Sequence, residues 1–151
     1  MSVPKSVVKF QKDGITYTSN VDACEYTITE LTRAALRDVG KYVCRKFKEY
    51  YYAHFRKMSG KAGKACQYWV KSKVTPIELQ VGIKGGRISG FYSRFQETGT
   101  SKQARLGLLE RAAEDNIATI REIESRYLSA INTDNYDDLI DEEEFTGDGD
   151  E

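Results

Sequence analysis

The amino-acid sequence predicts an α+β fold, in which an antiparallel β-meander of about three to four strands packs against two long amphipathic helices. Apolar residues recur at steps of three and four in residues 22–57 and 104–132, which is the spacing of one helical face. Between these regions lie short segments rich in β-branched and aromatic residues, separated by turn-forming residues. Two helices laid on one face of an antiparallel sheet form a two-layer domain.

The first 21 residues are predicted to form an N-terminal arm or hairpin. Two short alternating stretches, residues 7–10 and 15–18, flank the dipeptide Asp13-Gly14. Asp-Gly between alternating stretches is typical of a tight hairpin turn. Residues 22–133 then form a single α+β domain.

The first long helix is predicted over residues 22–57. Asn20 or Asp22 can cap its start, and a flexible loop at 59–63 follows its end. Its apolar face is predicted to consist of Cys24, Ile28, Leu31, Ala35, Val39, Tyr42, Phe47, Tyr50 and His54.

Three strands and a second helix are predicted to follow. Thr75-Pro76 separates the first two strands, and Gly85-Gly86 separates the second and third. The predicted strands cover residues 66–74, 77–84 and 88–97, and the second helix covers residues 104–132.

The charges of the chain are unevenly distributed along its length. Its 23 Lys and Arg residues equal its 23 Asp and Glu residues in number, yet residues 1–133 carry a net charge of +10 and residues 134–151 a net charge of −10. A segment this acidic cannot bury enough apolar area to offset the cost of ordering it. We therefore predict that residues 134–151 form a disordered acidic tail.

Composition excludes several classes of protein. No apolar run approaches the roughly 18 residues that a membrane-spanning helix needs, and the start of the chain lacks the apolar run of a secretion signal. Cys24, Cys44 and Cys66 fit neither a disulfide framework nor a paired-cysteine zinc site. We expect reduced thiols, no metal, no cofactor and no membrane contact.

An enzymatic role is not expected. His54 is the one histidine of the chain, so a catalytic triad would have to be built around it. Glu97 is a candidate general acid or base, but no second carboxylate or nucleophile is tied to it by spacing. Cys66 is more simply interpreted as a small buried thiol than as a nucleophile.

Residues 41–57 suggest a nucleic-acid-binding helix as an alternative function. They combine six basic with six aromatic residues, and Glu49 is the one acidic residue among them. Cations neutralise phosphates and aromatic rings stack on bases. Core packing explains half of the rings equally well, but Tyr51 and Tyr52 fall outside the predicted core face and are candidate interface residues.

Lys61 and Lys64 lie in a glycine-containing stretch, GKAGK, that invites comparison with phosphate-binding loops. Two residues separate its glycines and Ala65 follows Lys64, so the stretch does not match a P-loop. A KH-type GxxG loop joins two helices, whereas a strand is predicted to follow here. We expect a positively charged loop that contacts DNA or an acidic partner electrostatically.

The most distinctive string of the chain is GFYSRFQETGTSKQARLGLLERAAEDNI, residues 90–117. It resembles the head-tail joining, or tail-completion, proteins of long-tailed bacteriophages, in which an aromatic strand leads through an acidic residue and Gly-Thr into a hydrophobic helix. Those proteins usually carry prolines where this chain has Leu106-Gly107 and Glu110-Arg111. The positions that carry the resemblance are Phe91, Tyr92, Phe95, Glu97, Gly99, Thr100, Ser101, Lys102, Ala104, Arg105 and Leu109.

This resemblance implies a virion structural protein that is made in the host bacterial cytoplasm and acts at the head-tail junction. The implied assembly is a homo-oligomeric ring of six subunits. Its implied partners are connector or stopper proteins on one side and tail-tube or tail-terminator proteins on the other, with non-specific contact to DNA in the passage. Independently of the resemblance, Gly99 permits positive φ at a sharp turn, and Thr100 or Ser101 can cap the helix that follows.

Overall fold

The computed structural model describes residues 7–55, 61–84 and 90–131. The described chain mixes helices with two small antiparallel sheets. In chain order its elements are β1 (Val7–Lys12), β2 (Ile15–Ser19), α1 (Val21–Phe55), α2 (Lys61–Lys64), β3 (Cys66–Lys71), β4 (Glu78–Ile83), α3 (Gly90–Thr98), α4 (Leu108–Glu114) and α5 (Ile117–Ala130).

Helix α1 is the central element, and it packs against α2, β3, β4, α4 and α5. Its N-terminal half contributes Leu31, Ala34 and Ala35 to a core that includes Tyr127 of α5. Its C-terminal half contributes Phe47, which is fully buried against α4. The outer members of the predicted apolar face, Cys24, Ile28 and His54, are exposed.

Strands β1 and β2 form an antiparallel hairpin around Asp13-Gly14. Both turn residues adopt positive φ, 53° at Asp13 and 80° at Gly14, as tight hairpin turns require. Phe10 pairs with Tyr17 across the hairpin. These two side chains are 55% and 58% exposed, and that of Ile15 is 69% exposed. The hairpin therefore presents apolar side chains to solvent.

Strands β3 and β4 form the second sheet, which packs against the C-terminal half of α1. Their register runs from Cys66 opposite Ile83 to Lys71 opposite Glu78. Gly40 of α1 allows this close approach, because a Cβ built on it would lie 2.6 Å from the ring of Tyr68. A side chain at position 40 would push the sheet away from the helix.

The predicted meander of three to four strands is wrong. Residues 90–97, which make up most of the third strand predicted at 88–97, lie in helix α3 (Gly90–Thr98), and β3–β4 is a two-stranded sheet. In α3, Ser93 is buried and Gln96 and Glu97 are half-buried, whereas Arg94 and Phe95 are exposed. The buried positions follow a helical spacing of three and four, but polar residues occupy them, so the aromatic residues gave a misleading strand signal.

The predicted second long helix is also divided and begins later than expected. Helix α4 starts after Gly107, whose φ of 57° lies in the left-handed region. A turn at residues 115–116 separates α4 from α5. The apolar spacing continues through this turn, which explains why the sequence predicts one helix over residues 104–132.

The loop predicted at residues 59–63 is helical from Lys61 onward, because α2 covers Lys61–Lys64. Residues 59 and 60, the Gly85-Gly86 turn and the acidic tail at 134–151 lie outside the described residues. Among the described helices, none combines the length and the apolar character needed to cross a membrane.

Candidate functional site

Glu97, near the C-terminal end of α3, caps the first turn of α4. Its Oε1 accepts a hydrogen bond from the backbone N–H of Leu108 and its Oε2 accepts one from Leu109, both at 3.0 Å. The first N–H groups of a helix have no partner within the helix, and they carry partial positive charge. Because the Glu97 carboxylate binds two of these N–H groups, it connects the end of α3 to the start of α4.

The loop between α3 and α4 folds back onto the end of α3. The N–H of Gly99 donates to the carbonyl of Phe95 at 2.8 Å, and the N–H of Leu106 donates to that of Gln96 at 2.9 Å. Gly99 has a φ of 76°, and a Cβ on it would lie 2.9 Å from the backbone nitrogen of Arg105. Both the backbone conformation and the available space therefore require glycine at this position.

Residues 90–114, which make up most of the string that resembles the phage proteins, thus form a corner between two helices. We call it the α3–α4 corner. The cap is not supplied by Thr100 or Ser101 as predicted. Thr100 forms a backbone bridge with Gln103, and Ser101 and Lys102 are exposed in the turn between them. The capping group is Glu97, which lies 11 and 12 residues before the amides it binds.

Other residues of the string have different positions. Arg105 forms an exposed ion pair with Glu110 of α4. Phe91 and Tyr92 lie in the first turn of α3, and their side chains are outside the described part of the structure. Phe95 is 37% exposed. The corner therefore contains a charged residue bound to the backbone and a largely polar outer surface.

An open groove with a volume of about 870 Å³ lies beside the corner. The apolar lining residues come from α1, β4, α4 and α5, and charged residues of α3, the following loop and α4 also line the groove. Two of the lining carboxylates are engaged, that of Glu97 with backbone amides and that of Glu110 with Arg105. The lining residues are Val39, Val43, Leu79, Val81, Ile83, Leu109, Ala113, Ile120, Arg94, Glu97, Thr98, Arg105 and Glu110.

The candidate interface residues Tyr51 and Tyr52 fall outside the predicted core face, but both are half-buried within their own chain. The Tyr51 hydroxyl donates to Oε1 of Gln96 at 3.2 Å, and its ring packs 4.6 Å from that of Phe55. Burial raises the pKa of Tyr51. The ring of Tyr52 lies against Gly63 of α2. Both tyrosines connect α1 to neighbouring elements of the same subunit.

Arg45 and Lys48 of α1 are exposed, but aromatic rings of the same helix form contacts within the subunit. Arg45 lies over the ring of Tyr42 at 5.4 Å from its centroid, and the hydroxyl of Tyr42 donates to Oδ1 of Asn116 at 3.0 Å. Lys46 pairs with Glu49 at 2.7 Å. In the stretch predicted to form a positively charged loop, Lys64 is exposed at the end of α2. The side chain of Lys61 lies outside the described residues.

A pair of thiols was not anticipated from the sequence. The Sγ of Cys66 donates to the Sγ of Cys44 at 3.2 Å. Twenty-two residues separate them, and no sequence signal indicates that the start of β3 meets the middle of α1. Within residues 7–55, 61–84 and 90–131, His, Cys, Asp and Glu side chains form no group of three that could hold a metal ion.

Comparison of the chain with protein-family models, with curated proteins and with solved structures gives no match.

Proposed function

We propose that this chain is a non-enzymatic structural protein of a tailed phage virion, which acts at the head-tail junction as a subunit of a ring of six. In this role it binds connector or stopper proteins on one side and tail-tube or tail-terminator proteins on the other. The observation that carries the proposal is the string at residues 90–117, which resembles the tail-completion proteins of long-tailed phages.

The geometry of the string supports a role in binding. Its acidic residue, Glu97, is bound to two backbone amides, and its glycine, Gly99, permits a tight return of the chain. These residues shape a corner beside an apolar groove. A rigid corner and an open groove suit a protein that acts by contacting its neighbours.

The β1–β2 hairpin is a second surface that fits this role. A two-stranded hairpin alone is marginally stable in water, and this one exposes Phe10, Ile15 and Tyr17. Covering such side chains contributes about 1.5–3 kcal/mol for each large apolar residue that becomes fully buried. In the proposed ring, an adjacent virion protein covers this face of the hairpin.

A complementation experiment tests the proposal. A nonsense mutation in the gene, placed in the phage that encodes it, should yield DNA-filled heads and unattached tails in electron micrographs. The wild-type chain supplied from a plasmid should restore complete particles. Complete, infectious particles from the mutant without complementation would overturn the assignment.

Matched variants then test the hairpin. Phe10→Ser with Tyr17→Ser should fail to complement, because these paired residues share the apolar face. Gln11→Ser with Thr16→Ser changes a pair on the other face of the hairpin, and it should complement normally. Circular dichroism of both purified variants shows whether the rest of the fold is intact. Equal complementation by the two variants would exclude the hairpin as a contact surface.

Nucleic-acid binding remains the alternative function, and the exposure of Arg45 and Lys48 favours it. The rings of Tyr42 and Tyr51 are engaged inside the subunit, so phosphate contacts are expected without base stacking. If the structural role is correct, binding to duplex DNA should be weak, independent of sequence and steeply reduced by salt. Tight binding to one sequence at physiological salt would favour the alternative over the structural role.

A further inference from the structure

Two thiols from different elements are held in contact where the β3–β4 sheet packs on α1. Cys44 lies in the middle of α1, and Cys66 is the first residue of β3. Their Sγ atoms are 3.2 Å apart. Both side chains are half-buried, so neither residue is completely shielded from solvent.

Backbone hydrogen bonds and core packing hold the two thiol-bearing elements in place. Cys66 pairs with Ile83 at the end of the β3–β4 ladder. The N–H of Lys84 donates to the carbonyl of Ala65 at 2.8 Å and extends this pairing by one residue. On α1, Val43 is buried next to Cys44. The contact between the sulfur atoms is therefore a consequence of how the sheet packs on the helix.

The two thiols differ in acidity. The hydrogen bond donated by Cys66 lowers the pKa of Cys44, and the nearby Lys48 cation lowers it further. The same hydrogen bond, together with burial, raises the pKa of Cys66. Since the thiolate is the nucleophilic form of cysteine, we expect Cys44 to react first.

We propose that Cys44 and Cys66 form an oxidative modification site, at which hydrogen peroxide converts the two thiols into an intramolecular disulfide. The Cys44 thiolate attacks one peroxide oxygen, the O–O bond breaks, and the departing hydroxide takes a proton to become water. The resulting sulfenic acid is then attacked by Cys66. An S–S bond forms, the S–O bond breaks, and a second water leaves with the Cys66 proton.

The geometry makes this product accessible. A disulfide has an S–S distance of about 2.05 Å, so the two sulfur atoms must approach each other by roughly 1 Å from their present contact. The new bond would join the start of β3 covalently to the middle of α1. The same peroxide chemistry supplies both oxidising equivalents, so no further reactant is needed.

Cys24 provides an internal control. It is exposed near the start of α1. An α-helix rises about 1.5 Å per residue, so it lies roughly 30 Å from Cys44 along the helix axis. Cys24 can therefore be oxidised on its own or pair with another molecule, but it cannot pair with Cys44 in the same folded subunit.

Mass spectrometry of the full chain treated with hydrogen peroxide tests the proposal. We expect a loss of about 2 Da, reversed by dithiothreitol, with a cross-linked peptide pair containing Cys44 and Cys66 after proteolysis under non-reducing conditions. Cys24→Ser should show the same loss. Cys44→Ser and Cys66→Ser should instead gain oxygen at the remaining thiol.

The wild-type protein is the primary sample, so the test does not depend on the folding of any variant. Stepwise gain of oxygen at both Cys44 and Cys66 with no cross-linked peptide would overturn the proposal, as would a disulfide that contains Cys24 within one chain. Thermal unfolding adds a second measurement. The oxidised protein should melt at a higher temperature than the reduced protein, because the bond constrains the unfolded chain.

Discussion

Glu97 determines where α4 begins, because its carboxylate satisfies two backbone amides that would otherwise have no partner. The negative charge of this carboxylate also interacts favourably with the positive end of the α4 helix dipole. Gly107, the residue before α4, provides no side chain for capping. Glu97, which the sequence suggests as a candidate general acid or base, thus binds two backbone amides at the start of α4.

Replacing Glu97 by alanine should lower the free energy of unfolding by about 1–2 kcal/mol, the range found when a helix cap is lost. Urea unfolding followed by circular dichroism measures this change. Glu114→Ala is the control, since Glu114 is exposed at the other end of α4 and its loss should change stability by less than about 0.5 kcal/mol. Equal losses in the two variants would show that the cap contributes nothing.

A comparison of Gly99 with Gly14 distinguishes the cost of backbone strain from the cost of a steric clash. Both have positive φ, but a Cβ on Gly14 meets nothing within 4 Å, whereas one on Gly99 meets the backbone of Arg105. Alanine in a left-handed conformation costs about 1–2 kcal/mol. Gly99→Ala should therefore destabilise the fold by more than Gly14→Ala, as measured by their urea midpoints. A smaller effect at Gly99 would mean that the corner adjusts freely.

Tyr68 carries a buried hydroxyl that has no hydrogen-bond partner within the described structure. Tyr68→Phe should raise the free energy of unfolding by about 1 kcal/mol, because an unsatisfied buried polar group is removed. Tyr51→Phe should have the opposite effect, since it removes the hydrogen bond to Gln96. Thermal melts of both variants at neutral pH decide whether the signs differ as expected.

The same residue also affects stability at alkaline pH. Burial raises the pKa of Tyr68 above its ordinary value of 10.0, so the folded protein holds this proton more tightly than the unfolded chain. Titration of this group therefore leaves the free energy of unfolding unchanged below about pH 10. The free energy falls as the pH rises from there through the folded-state pKa, because only the unfolded chain releases the proton in that range. The Tyr68→Phe variant should consequently lose less stability than the wild type above pH 10.

The helices differ in how far the sequence predicts them. Helix α1 was predicted within two residues at each end, because a long run of apolar residues at helical spacing has no competing interpretation. Helix α3 was missed, since nine residues with three aromatics fit either period and Ser93 occupies its most buried described position. The break between α4 and α5 depends on contacts from α1, which no local pattern contains.

Asn116 holds the turn between α4 and α5 against α1. Its Nδ2 donates to the carbonyl of Ala112 at 3.0 Å and to the hydroxyl of Tyr50 at 3.3 Å. Its Oδ1 accepts from the hydroxyl of Tyr42 at 3.0 Å. One side chain thus ends α4 and connects both helices to α1.

Asn116→Ala should lower the free energy of unfolding by about 2 kcal/mol, because three partly buried hydrogen bonds are lost together. Asp115→Ala is the matched control, since Asp115 is exposed and lies 3.9 Å from Arg111 in a surface ion pair that contributes under about 1 kcal/mol. Similar unfolding midpoints for the two variants would contradict a special role of Asn116 in the turn.

The sequence identifies the residues of the candidate site, but the contacts among them are seen only in the folded structure. Gly99 was correctly expected to turn the chain with positive φ. The cap was assigned to Thr100 or Ser101, because helix caps are usually adjacent to the helix they serve. Glu97 reaches α4 because the loop returns to α3, and that return depends on hydrogen bonds between residues distant in sequence.

The charge of the chain as a whole is divided between a basic body and an acidic C-terminal segment, of +10 and −10 respectively. Exposed cations on α1 and α2, such as Arg45, Lys48 and Lys64, contribute to the basic surface. In the proposed ring, the acidic segments of several subunits would add up to a large negative charge, which we expect to be attracted to basic surfaces. Their attraction is screened beyond roughly 8 Å at physiological ionic strength, so a masking effect should be strongest at low salt.

Deleting residues 134–151 should leave the fold intact and increase non-specific binding to polyanions. The segment holds ten carboxylates and no basic residue, and it is predicted to add no core contacts. Heparin chromatography at low salt should retain the truncated protein longer than the full chain, and the difference should shrink as salt is added. A collapse of the melting temperature would refute the predicted disorder, whereas unchanged heparin retention with an unchanged melting temperature would refute masking of the basic body.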